Sequence, residues 1–169
     1  MIFDINAHLG AYPFRALSHR TAPELVTHLE RNGIGRALVT SLPAVFYRDT
    51  HRGNEELHEE TRPFAERLFP VATVNPKYAG WQRDLDQAVV EWKMKAVTLV
   101  PEHHGYALKD AHGQAALARI AELGVPVVLT QRFEDRRQRH AWDRAEDLTL
   151  ASLLEAARVQ PKLRVILTN

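Results

Sequence analysis

Titratable side chains gather at four places in this chain, each just past a short apolar run. The first holds Asp4, Asn6 and His8. Alternate residues of a strand point the same way, so on an extended segment these three line one side. An Asp-x-His-x-His stretch in such a place grips a metal ion, because two imidazoles two residues apart can reach it together. Here Asn6 stands where the first imidazole would be, and an amide oxygen is a poor ligand for zinc. His8 is therefore a metal ligand with weak support from Asn6, or a hydrogen-bonded structural residue. The second place is Gly10-Ala11-Tyr12-Pro13-Phe14-Arg15. Arg15 is either an exposed cation on a rigid turn or an anchor for a substrate carboxylate, which its guanidinium fork matches in geometry.

The third is Pro101-Glu102-His103-His104-Gly105-Tyr106. Two histidines, an acid and a phenol in one short loop supply bases, acids or ligands. On this reading His103 and His104 are catalytic candidates and Tyr106 touches substrate. The plainer alternative is a polar loop in which one histidine caps a backbone carbonyl. The fourth is the charged run from Gln131 to His140. Glu134 and His140 are candidates for proton transfer and Arg132 for substrate binding. Most of that run reads as a solvated face, and Glu134 and Asp135 can also simply pair with neighbouring arginines.

Alternating strands and helices must position these groups. Ile2 to Ile5, Ala37 to Thr40, Val71 to Val74, Ala96 to Val100, Val125 to Thr130 and Leu163 to Leu167 read as strands. Thr21-Ala22-Pro23-Glu24 is a capping box with proline in the first turn, and Gly33 ends the helix it opens. A second helix is expected from Asn54 to about Thr61, broken at Pro63. Leu85, Ala88, Val89 and Trp92 form one apolar stripe, which makes Trp92 a packing residue. Ala116, Leu117, Ile120 and Ala121 mark a fourth helix stopped by Gly124. Leu150, Leu153, Leu154 and Ala157 mark a fifth, closed by Pro161.

Strict alternation of this kind means right-handed crossovers and a parallel sheet. The turn after the first strand is not glycine-rich, which disfavours a dinucleotide-binding sheet and favours a TIM-type (β/α) barrel. About six of the usual roughly eight strands are present. The expectation is a single barrel domain over residues 1–169 that is the N-terminal three-quarters of a longer one, or that another chain completes. A compact six-stranded open sheet is the alternative.

Composition narrows the function classes. The 169 residues carry a net charge of +1, with 45% hydrophobic and 25% charged residues. That balance offers no general surface for nucleic acid or membrane. The absence of cysteine excludes disulfides and thiolate chemistry. No leader-like N-terminus or membrane-length apolar run occurs, so a cytoplasmic location is the default. A small-molecule substrate is the expected partner, and a homo-oligomer is left open.

Together these motifs resemble the amidohydrolase-related family, and specifically a branch with an Asn-x-His-x-Gly start. The carriers are Phe3 to Gly10 with Pro13-Phe14-Arg15, Val74-Asn75-Pro76, Pro101 with His103 to Tyr106, and Glu134-Asp135-Arg136 with His140. The resemblance implies a metal-dependent barrel enzyme that hydrolyses or decarboxylates a small polar or carboxylated substrate with a divalent metal such as zinc. It also implies ligand positions. His8 matches the second histidine of the first strand and Asn6 replaces the first. The histidines of the fifth and sixth strands fall near Thr130 and Asn169. The alternative is a non-catalytic or metal-free ligand-binding descendant of the same fold. A metal-free isomerase or sugar-phosphate enzyme is disfavoured by the lack of a glycine-rich phosphate loop.

Overall fold

The structure, a computed structural model, describes residues 1–168, without the side chains of Ala157 and Val159. The inward role expected of Ala157 and the histidine position expected near Asn169 lie outside the described residues. Six strands are present: β1 (Ile2–Leu9), β2 (Ile34–Ser41), β3 (Leu68–Val74), β4 (Ala96–Leu99), β5 (Val127–Thr130) and β6 (Val165–Thr168). All neighbours pair in parallel and the sheet order is the chain order. The sheet curls into an incomplete α/β barrel of the TIM type. β1 and β6 are its two lateral edges.

The helices are α1 (Ala22–Arg31), α2 (Leu42–Phe46), α3 (Thr50–Thr61), α4 (Trp81–Asp86), α5 (Pro101–His104), α6 (Ala111–Leu123) and α7 (Leu150–Val159). The Thr21 capping box is present, with Glu24 accepting the Thr21 N–H at 3.0 Å. A π-turn over Gln87–Glu91 extends α4, and Val89 and Trp92 pack against the core beneath it. The short helices α2 and α5 have no amphipathic stripe long enough to read from sequence. No helix among the described residues is long and apolar enough to cross a membrane.

Strand residues alternate between two layers, as a sheet covered on both faces requires. On the outer, helix-covered side Ala37, Val39 and Leu68 meet Leu25, Leu29 and Leu57. Further along the same side Val97, Leu99 and Leu129 meet Leu85, Leu117 and Ile120. The inner side begins apolar, with Leu38, Val71, Ala96 and Val128 packed beside Phe69 and Ile166. By the same alternation Thr40, Thr73, Thr98, Thr130 and Thr168 share that inner face, so it turns to hydroxyls towards the strand C-termini.

Several expectations change in detail. β1 runs to Leu9, which places His8 inside the strand instead of after it. A register shift between Asp4 and Ala7 also sets Asp4 against Ala37 and His8 against Thr40. Asp4, Asn6 and His8 therefore do not share one face, because a bulge breaks the period-two rule. α3 starts at Thr50, since the Asp49 carboxylate accepts the His51 N–H at 3.1 Å and caps it there. On α7 Leu153 and Ala156 are buried but Leu150 and Leu154 are exposed, as are Val165 and Leu167 of β6. That helix packs into the core through Leu153 and Ala156.

Asn54, inside α3, takes up a different task. Pairing between β2 and β3 stops at Thr40 and Val71. Two residues further on, the backbone of Thr73 would be left bare within the protein. The buried Asn54 amide donates to the Thr73 carbonyl and accepts from its N–H, both at 2.8 Å. An unpaired buried polar group costs roughly 1–3 kcal/mol, and here two would be stranded. Replacing Asn54 by Ala should lower the unfolding free energy by about 2–4 kcal/mol in urea titrations. A loss well under 1 kcal/mol would show that the clamp contributes little.

Candidate active site

The loops that follow the strands meet at one end of the sheet, where a parallel barrel carries its chemistry. After β1, Gly10 adopts a left-handed backbone (φ +95°), and a Cβ there would lie 2.5 Å from the Pro43 ring. Its N–H donates to the Arg20 carbonyl, closing the loop that carries Tyr12, Phe14 and Arg15. After β5, residues 131–148 form a second loop, closed where the Leu148 N–H donates to the Gln131 carbonyl at 2.9 Å. Asp147 stiffens it by pairing with Arg139 at 2.6 Å and Arg136 at 3.0 Å.

The two loops meet across the mouth. Arg15 Nη2 lies 2.9 Å from Glu134 Oε1, with the carboxylate side chain only 4% exposed and the arginine 50%. The Tyr12 hydroxyl sits close to the same carboxylate without a well-formed hydrogen bond. Burial first, and then Glu134, push its pKa well above the usual phenol value. Aromatic rings fill the space between the loops. Phe133 meets His8 and His103 edge-on, at 5.8 and 5.2 Å between ring centres. Phe46 meets Tyr12, Phe14 and His103 at 5.4–5.8 Å.

The sequence candidates fall into distinct surroundings. His8, Asn6, Arg15 and Glu134 line one cleft of about 260 Å³ with Tyr12 and Phe133. Burial brings the His8 pKa down to about 4, against the raising effects of the Asn6 carbonyl and Asp4. His103 stands on the far side of Phe133, its Nε2 3.6 Å from Asp143 Oδ1, beyond hydrogen-bond length. Burial lowers its pKa, Asp143 opposes this and Arg139 adds to it. His104 beside it is lowered to about 4, by burial first and by His103 second, while carbonyls of Ala44, Val74 and Val45 oppose the shift. Arg132 lines a void of about 20 Å³, space for about one water, and its buried Nε has no partner among the described residues.

Two candidates sit elsewhere. His140 is exposed at the rim, stacked on Phe14 at 5.1 Å. Tyr106 is buried in the outer helix-covered core, and burial raises its pKa. Asp143, Tyr12 and Phe46 are the mouth residues that sequence reasoning did not single out. Asp143 was hidden in a charged stretch, and Phe46 in a helix too short to recognise.

A divalent ion needs several nitrogen or oxygen donors converging on one point. Among the described residues no three His, Asp or Glu side chains do so. At the end of β5, where the resemblance looks for a histidine, the Thr130 hydroxyl instead pairs with Thr168 at 2.9 Å. His8, Asp4 and Glu134 line one cleft but do not converge on one point. The residues present do not fit the metal site that the motifs imply.

Curled parallel sheet, outer helices and a mouth built from strand-end loops define a (β/α) barrel of the TIM type. No family model matches the chain, and no curated protein matches it by sequence. Solved structures match by fold. A 2,6-dihydroxybenzoate decarboxylase from Rhizobium superposes with a TM-score of 0.72 at 14% identity, over 98% of this chain and 65% of that one. A Staphylococcus aureus protein assigned to the amidohydrolases gives 0.70 at 9% identity, over 98% and 66%. A dihydroxybenzoic acid decarboxylase from Polaromonas, with bound manganese and 2-nitroresorcinol, gives 0.70 at 16% identity, over 98% and 64%. The chain thus spans just under two thirds of the length of these proteins. Its fold is that of these barrels.

The buried histidines make stability depend on pH. Folded, His8 and His104 stay neutral down to about pH 4, whereas unfolded they protonate near their ordinary value of 6.5. Between those values the unfolded chain binds more protons, so stability rises with pH across that window. Acidification from pH 7 to 4 should lower the urea midpoint steadily. The double variant His8→Gln, His104→Gln should show a shallower slope, and an unchanged slope would mean the rings are not held neutral.

Proposed function

We propose that this chain bears the site of a hydrolase or decarboxylase acting on a small carboxylated substrate. The observation that carries the reading is His103, walled by Phe46 and Phe133 and facing the buried Asp143 at the strand ends. With its pKa lowered by burial, the imidazole is neutral at pH 7 and accepts a proton from a substrate hydroxyl or a water. Asp143 favours the imidazolium that results. Such a base contributes about 10²–10⁴-fold to a rate. The aromatic walls suit a flat ring, and the Rhizobium and Polaromonas enzymes are named for a hydroxylated aromatic acid. Arg15 is engaged by Glu134, and Arg132 borders a void with space for about one water, so a substrate carboxylate needs a cation elsewhere at the mouth.

A divalent metal enters this reading through the manganese of the Polaromonas enzyme. Zinc would find His8 as the one imidazole at the end of β1. The inner-face threonines favour a second reading, a site that binds such acids without turning them over.

Purified chain incubated with hydroxybenzoates should release CO₂, and His103→Asn should cut the rate by about 100-fold or more with the fold unchanged by circular dichroism. Asp143→Asn should cut it less. No CO₂ with intact binding would establish the second reading. Metal analysis should find less than one divalent ion per chain. A stoichiometric ion that survives chelator would overturn the donor account.

A further inference from the structure

On the far side of His103 from the Glu134 cleft lies a second groove, of about 340 Å³, between the ends of β2, β3 and β4. Its walls are Phe46 and Tyr47, His103 and His104, and two cations, Arg48 and Lys77. No carboxylate lines it, and among the described residues neither cation forms an ion pair. The His104 ring nitrogens are buried against the carbonyls of Ala44, Val74 and Val45 without well-formed hydrogen bonds, and His103 turns its Nε2 towards Asp143, so the two rings wall the groove.

The backbone around the cations is held deliberately. Asn75, 5% exposed at the end of β3, donates from Nδ2 to the Arg48 carbonyl at 3.1 Å. Its Oδ1 accepts the Lys77 N–H, also at 3.1 Å. One buried amide thus fixes the two loops that carry the two cations. Lys77 is tethered again by its ammonium, which donates to the Gly105 carbonyl at 2.8 Å. That leaves two of its three protons for a ligand. Gly105 holds the turn in a left-handed conformation (φ +67°), which presents its carbonyl at little backbone cost.

We propose that this groove binds the carboxylate of an aromatic acid, with Arg48 and Lys77 as the anion-recognising residues and Asn75 as the residue that positions them. A carboxylate neutralises the two unpaired cations, and a flat ring lies against Phe46 and Tyr47. The ring then stands beside the imidazole of His103. The inference deepens the enzymatic reading by naming what holds the substrate next to its base, and as a binding statement it holds without turnover.

The test uses the full chain and titration calorimetry with benzoate and its neutral isostere benzamide. Benzoate should bind at least 10-fold more tightly than benzamide. Arg48→Gln and Lys77→Gln should each weaken benzoate about 5–10-fold and leave benzamide unchanged. Asn75→Ala, which removes no charge, should weaken benzoate comparably, and the exposed Arg48 variant keeps the test informative if Asn75→Ala does not fold. Equal affinity for the two probes, or benzoate binding indifferent to both cation variants, overturns the proposal. CO₂ release that ignores Arg48 and Lys77 would sink the groove and keep the enzyme. Benzoate binding that needs them, in a chain that decarboxylates nothing, would do the reverse.

Discussion

A parallel sheet whose strands lie in chain order has no freedom about where its loops go. Each right-handed crossover returns the chain to the same end, so every strand here finishes at one mouth. Residues as distant as Arg15 and Glu134 become neighbours through that constraint alone. The same constraint separates tasks along each strand. The outer side chains are committed to the helices, and only the last inner positions and the loops beyond them are free for chemistry.

The loop after β5 completes the mouth. Its anchor is the nearly buried Glu134 carboxylate, compensated by a half-exposed Arg15. A charge so placed is costly to leave unpaired, so the pair fixes where the loop lies more than it adds net stability. With the loop in place, Phe133 stands between His8 and His103 and divides the mouth into two basins. The Asp147 pairs with Arg136 and Arg139 hold the rest of the loop to itself, which spends most of its charges on its own shape.

Two asparagines at β3 link this end of the sheet to its surroundings. Asn54 continues the hydrogen bonding of β3 where β2 has turned away. Asn75 ties the loop after α2 to the loop after β3. Both are buried amides whose donor and acceptor sides are used at once, which a carboxylate or a hydrophobic residue could not imitate.

The alternation of strands and helices, the parallel order and the ends at which polar residues collect are all legible along the chain. Those follow from local periodicity, caps and turn residues such as Thr21, Gly33 and Gly124. Most of the strands also carry an inward threonine near their C-terminal ends, where a metal site would want an imidazole. The grouping of the side chains came from packing in three dimensions. The bulge in β1 moved Asp4 off the face of His8, because one irregular residue reverses the alternation. Tyr106 went to the helix-covered core while its loop neighbour His103 went to the mouth, a choice made by packing and not by sequence distance. The partners of Glu134 and His103 lie far away or are hidden in a charged run, and only closure of the loops over one end of the sheet could select them.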